Sequence, residues 1–135
     1  MASNVNLPDA LRNIIMDAIT TRAGDAALLR IYDGTQPADA DTAVTGTLLA
    51  ELVCGTPFAA GAADGILTLG TITTDASANA TGTATHFRIV KADGTTVVLD
   101  GTVDTSGADL NLNTVSIIAT LPVAVSSLVF THGNV

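Results

Sequence analysis

The spacing of apolar positions changes once along this chain, and the change divides it. Leu7, Leu11, Ile14, Ile15, Ala18 and Ile19 recur every three or four residues, the repeat that gathers side chains on one face of an α-helix. Pro8 falls in the first turn, Asp9 near the positive end of the helix dipole, and Gly24 where the pattern stops, with Asn6 as the predicted N-cap. These signals predict one amphipathic helix over about residues 8–22, preceded by a polar arm, residues 1–6. Its apolar stripe must be covered, either by sheet of the same domain or by a neighbouring subunit.

From Ala27 the period becomes two, the alternation of a β-strand. A strand over Leu28–Tyr32 ends at Asp33-Gly34-Thr35-Gln36-Pro37, and a polar loop over Ala38–Gly46 leads to a strand at Thr47–Cys54. After Gly55-Thr56-Pro57 and a small-residue loop, Ala59–Gly65, Ile66–Thr73 reads as strand. Thr83–Ala92 and Thr95–Val103 flank Asp93-Gly94, the pair favoured by a two-residue type I′ hairpin turn. In the first of them Thr83, Thr85, Phe87, Ile89 and Lys91 face one way, and Ala84, His86, Arg88 and Val90 the other. A turn at Asp104–Asp109 precedes Leu110–Thr120, and Leu121-Pro122 separates that run from Val123–Thr131. About seven to eight strands, with turns roughly every 8–12 residues, predict an all-β fold. The expected form is an antiparallel jelly-roll-like sandwich or barrel preceded by one N-terminal amphipathic helix. Residues 1–24 then form the arm and helix and residues 25–135 the β-sandwich, in a single globular domain.

Composition narrows what such a sheet is for. Five Lys or Arg against thirteen Asp or Glu leave a net charge of −8. Arg12, Arg22, Arg30, Arg88 and Lys91 are scattered singly, so neither a nucleic-acid backbone nor an anionic membrane surface is an expected partner. Mean hydropathy is positive at +0.48, and Leu110–Thr131 carries no charge. That stretch nevertheless contains Asn111, Asn113, Thr114, Ser116, Thr120, Ser126 and Ser127 and is broken by Pro122, so two uncharged strands fit it better than a membrane helix. No secretory signal is visible at the N-terminus, and the lone Cys54 has no partner for an internal disulfide, which points to folding in a reducing cytoplasm.

Residues able to do chemistry are few. Cys54 lies in an apolar run and reads as a small buried hydrophobe. His86 and His132 are the sole imidazoles and have no zinc-ligand spacing; His86 reads as a surface or interface residue and His132 as part of a tail. Asp39 with Asp41, and the group Asp100, Asp104 and Asp109, could offer oxygen ligands to Ca²⁺ but match no EF-hand loop and read as exposed turn carboxylates. Asp104-Thr105-Ser106-Gly107 differs from the Asp-Thr-Gly of aspartic proteases by an inserted Ser, so it reads as a turn. Glu51, the single Glu, points to solvent or pairs with an arginine. No catalytic, cofactor-binding or metal residues are expected, and the chain reads as a non-enzyme.

Five stretches carry a resemblance: Leu29-Arg30-Ile31-Tyr32-Asp33-Gly34-Thr35-Gln36-Pro37, Leu48-Leu49-Ala50-Glu51-Leu52, Gly82-Thr83-Ala84-Thr85-His86-Phe87-Arg88-Ile89, Lys91-Ala92-Asp93-Gly94-Thr95-Thr96-Val97-Val98 and Asp109-Leu110-Asn111-Leu112-Asn113. Along most of its length the chain resembles minor capsid proteins of tailed bacteriophages, of the decoration or cement type. The resemblance implies an all-β protein on the outside of the virion's capsid, made in the host cytoplasm and clamping adjacent capsomers. Its expected partners are the major capsid protein and further copies of itself, as homodimer or homotrimer, with no cofactor. A tail, head-completion or fibre-associated virion component is an alternative, as is a receptor- or carbohydrate-binding sandwich. The last is poorly supplied with aromatics, having only Tyr32, Phe58, Phe87 and Phe130.

Overall fold

A computed structural model describes residues 5–132. The first four residues of the expected arm and the last three of the expected sandwich lie outside the described residues. The fold is mostly β with one helix. Helix α1 (Asp9–Ala23) has Pro8, not Asn6, at its N-cap: Pro8 is extended (φ −64°, ψ 153°), so the helix begins at Asp9, one residue later than expected. Gly24, at φ +66°, ends it, and its N–H donates to the Thr20 carbonyl.

Nine strands follow among the described residues: β1 (Leu28–Tyr32), β2 (Leu48–Val53), β3 (Ile66–Thr68), β4 (Gly82–Thr83), β5 (His86–Val90), β6 (Val97–Asp104), β7 (Leu110–Asn111), β8 (Ser116–Ile117) and β9 (Val129–Thr131). Five form one sheet in the order β2-β1-β5-β6-β7, while β3 pairs with β9 and β4 with β8. β1 and β2 lie within a residue or so of expectation. The longer predicted runs break up instead, Ile66–Thr73 leaving only β3 and Val123–Thr131 only β9. Leu69, Ile72, Val123 and Val125 are still buried, so alternation there records core contact rather than a ladder of hydrogen bonds.

Two expectations of pairing need correction. β7 runs parallel to β6, with Val103 beside Leu110 and Asp104 beside Asn111, so the large sheet is mixed rather than antiparallel. The intervening loop folds back because the Asp109 carboxylate accepts the Thr102 N–H (2.9 Å) and hydroxyl (3.0 Å), pulling the chain alongside β6. The β5–β6 hairpin forms, but its turn is longer than two residues. A type I′ turn requires positive φ at both central positions, whereas only Gly94 has it, at +76°. The last bond of the hairpin runs from the Lys91 N–H to the Thr96 carbonyl (2.9 Å). Asp93 meanwhile accepts the N–H groups of Thr95 and Thr96 (2.8 Å each), capping the loop from within. These bonds, led by the Thr96 hydroxyl, hold the Asp93 carboxyl well below the usual range.

One face of the large sheet carries Leu29, Ile31, Ala50, Leu52, Phe87 and Ile89, all buried. Above it Leu67 joins the same cluster from β3, and Phe130 of β9 stacks on Phe87 with ring centroids 6.5 Å apart. The helix adds Met16, Ile19 and Ala23 to that core.

Candidate functional site

The helix sits on its own domain by the face the sequence pattern assigns to solvent. Along it Arg12, Asn13 and Asp17 reach inward. The Arg12 guanidinium donates to the His132 carbonyl (2.9 Å), Asn13 accepts the Gly65 N–H (2.8 Å), and Asp17 accepts the Ala62 N–H (2.7 Å). Only Met16, Ile19 and Ala23 supply apolar contact on that side. Leu11, Ile14, Ile15 and Ala18 point outward, with Ile14 65% exposed. The small-residue loop ending at Gly65 presents the Ala62 and Gly65 N–H groups, which need acceptors rather than methyl groups, and Asp17 and Asn13, four residues apart on the helix, supply them. Of the predicted stripe Ile19 therefore turns to the core, while Leu11, Ile14, Ile15 and Ala18 are not covered by the chain's own sheet.

A second apolar surface lies on different elements. Leu112, Ile117, Ile118, Leu121, Pro122 and Val123 line a groove of about 400 Å³ beside β8, and its rim residues Ile118 and Leu121 are half-exposed. Another groove, about 490 Å³, is lined by Thr83, Thr85, Thr102, Asp104 and Ser106. Its main hydroxyls are engaged: Thr85 donates to the Gly34 carbonyl (2.6 Å) and Thr102 to Asp109.

On the face of the large sheet opposite the core, charges form a ladder across four strands. Glu51, Arg30, Arg88 and Asp100 occupy facing positions on β2, β1, β5 and β6. Two arginines side by side would repel, and each is neutralised by the carboxylate on its outer neighbour. Arg30 Nε donates to Glu51 (2.7 Å), and Arg88 donates to both oxygens of Asp100 (2.6 and 2.7 Å). Arg88 also donates to the Thr42 carbonyl (2.8 Å), drawing the polar loop over the sheet. The Arg88 and Asp100 side chains are 8% and 6% exposed. The bond to Asp100 raises the Arg88 pKa further despite burial.

The sequence-predicted residues are thus dispersed into structural roles. Glu51 pairs with Arg30, the second of its two expected positions. Asp100 is not an exposed turn carboxylate but half of a buried ion pair, because it faces Arg88 across the hairpin. Asp39 accepts the Thr42 hydroxyl (2.7 Å) and the N–H groups of Thr42 and Asp41. Those bonds, the hydroxyl first, lower its pKa. Asp104 accepts the Thr105 N–H (2.7 Å), and Asp109 binds Thr102. Among the described residues no group of three or more His, Cys, Asp or Glu is placed to hold a metal ion, and no helix is long and apolar enough to cross a membrane. Cys54 is buried, and burial pushes its thiol up to about 11. His132 does not hang as a tail: its N–H donates to the Gly65 carbonyl (2.8 Å) and its carbonyl accepts from Arg12.

His86 departs furthest from expectation. Instead of lying at the surface it is fully buried, stacked on Tyr32 with centroids 5.5 Å apart, its Nδ1 3.1 Å from the Thr85 hydroxyl and its Nε2 without a partner. Burial lowers its pKa below the ordinary 6.5, outweighing the opposite pull of Asp100. The unfolded chain therefore binds this proton more readily than the folded one, so stability is complete above pH ~7 and falls as pH drops through 6.5. Between pH 7.5 and 5.5 the unfolding free energy of the native chain, read by urea denaturation, is expected to fall by at most about 1.4 kcal/mol per pH unit for one proton. In His86→Gln that dependence is expected to flatten, and an unchanged slope would assign it to other groups.

No family model, curated protein or solved structure matches the chain. Its functional reading therefore rests on these surfaces and on the resemblance carried by its own residues.

Proposed function

We propose that this chain is a structural virion protein that binds the outside of a bacteriophage capsid in many copies and holds neighbouring capsomers together. The capsid comes from the resemblance over residues 29–37, 48–52, 82–89, 91–98 and 109–113. The observation that carries the mechanical part is the presence of two uncharged apolar patches on different elements, the outward helix face and the groove rim at Ile118 and Leu121. A molecule that fastens one body to another needs two contact surfaces, and shell symmetry multiplies weak contacts into strong retention. With this reading goes a jelly-roll-like sandwich, in which the β3–β9 and β4–β8 pairs stand for the second layer.

Imaging of purified particles with and without the chain tests this. The expected result is added density, in hundreds of copies, on the outside of heads, including tailless ones. Its presence only on tails or fibres would overturn the capsid assignment in favour of another virion component. Residues 1–24 are a poor target for deletion, because Met16 and Ala23 belong to the core. Leu121→Asp is the better variant, expected to lower particle occupancy at least about tenfold while leaving the folded chain intact, since a carboxylate transferred into an apolar contact is strongly disfavoured.

A further inference from the structure

We infer that the loop joining β1 to β2, residues 33–47, is an acid-released flap: protonation of His86 beneath it frees the loop while the sheet stays folded. This goes beyond the capsid reading and stands independently of it.

The hydrogen-bond network assigns which nitrogen of His86 is bare. The Thr85 hydroxyl lies 2.6 Å from the Gly34 carbonyl, which can only accept, so the hydroxyl's one hydrogen points there. It therefore meets His86 Nδ1, 3.1 Å away, with a lone pair, and Nδ1 carries the ring hydrogen. That leaves Nε2 as the basic atom, buried and without a partner. A proton added there creates an N–H with no acceptor and a full charge on a side chain at 0% exposure.

Charged groups reach the ring from each neighbouring element. Burial opposes the imidazolium most; Asp100 on β6 favours it, Arg88 on β5 opposes it, and Asp33 just beyond β1 favours it. Both Asp100 oxygens are already on Arg88, and Asp33 accepts the Thr47 N–H (2.6 Å). Tyr32 stacks on the ring from β1, and Thr102, opposite on β6, has its hydroxyl on Asp109. β2 brings only Leu48, opposite Tyr32. Of the loop's own carboxylates, Asp39 is turned onto Thr42 and Asp41 is exposed.

What yields to the new charge depends on how each neighbour is held. Tyr32 and Thr102 stand in the sheet ladder, whereas none of residues 33–47 is buried. Polar bonds fasten the loop instead: Arg88 to the Thr42 carbonyl, Thr85 to the Gly34 carbonyl, and Asp33 with Thr47 at its base. A segment with so little apolar burial opens before the sheet does. Protonation also acts on both upper ties, since Arg88 repels the imidazolium and Thr85 is the ring's hydrogen-bond partner. Once uncovered, the ring returns towards 6.5. The open population therefore grows as pH falls through that value, at most about tenfold per pH unit for one proton.

Tyr32 is the sole tyrosine and tryptophan is absent, so intrinsic fluorescence reports the residue stacked on His86. From about pH 7.5 to 5, acrylamide quenching of Tyr32 should rise at least about twofold while far-UV circular dichroism stays constant. His86→Gln should keep its neutral-pH quenching throughout. Thr85→Val, at an exposed position, loses the tie to Gly34 and should move the midpoint to higher pH. Quenching that stays flat, loss of β signal in step with it, the same rise in His86→Gln, or an unmoved midpoint in Thr85→Val would each overturn the proposal. Particle imaging at neutral pH, where the flap is closed, decides the capsid reading separately.

Discussion

Replacing Arg88 by Met is expected to lower the stability of the folded chain by about 3–5 kcal/mol, the cost of leaving one member of a buried ion pair uncompensated. Asp100 would then be left at 6% exposure without its two hydrogen bonds from the guanidinium, and the Thr42 carbonyl would lose its donor. The effect is therefore larger than for Arg30→Met, whose partner Glu51 is 35% exposed and reaches water. Arg88→Met combined with Asp100→Leu should recover much of the loss, because two apolar side chains of similar volume need no counter-charge. Chemical denaturation of the two single variants and the double variant measures this. A single-variant loss below about 1 kcal/mol would mean that solvent screens the pair.

Phe87→Ala should have a comparable effect, about 3–5 kcal/mol, because Phe87 is fully buried between the sheet and Phe130. Its position also explains Gly101. A Cβ at that position would meet Phe87 Cε1 at 2.5 Å and Cζ at 2.6 Å, with Asp109 Cβ at 3.1 Å. Gly101→Ala alone should therefore cost about 1–3 kcal/mol through overpacking. In a Phe87→Ala background the ring is gone, and the same substitution should become nearly neutral. Coupling of that size between facing residues identifies a steric cause. Additive losses would show instead that Gly101 matters for its backbone.

The positions that sequence reasoning placed well share a physical basis. Helix α1, strands β1 and β2 and the β5–β6 hairpin are local: period, a stop signal and a turn residue lie within a few residues of one another, and each element forms where its pattern predicts. Cys54 is buried for the same reason, since it lies in an apolar strand end. His86 was misplaced because alternation says only that its face differs from that of Phe87. It cannot say that a loop lying nearly fifty residues upstream in sequence bends over that face, held by Arg88 on the Thr42 carbonyl. The parallel pairing of β7 was hidden likewise, being set by the Asp109 carboxylate on Thr102 rather than by any periodicity.

The helix shows where the two kinds of information part. Its existence and its apolar stripe are written in the three-and-four spacing of residues 7–19, because that spacing alone aligns side chains along one face. Which face turns inward was decided by tertiary structure. The loop ending at Gly65 presents backbone N–H groups that must be satisfied once buried, and Asn13 and Asp17 satisfy them, rolling Leu11, Ile14 and Ile15 outward. Local spacing determines what a segment can present. The hydrogen-bonding demand of chain remote in sequence determines what it does present.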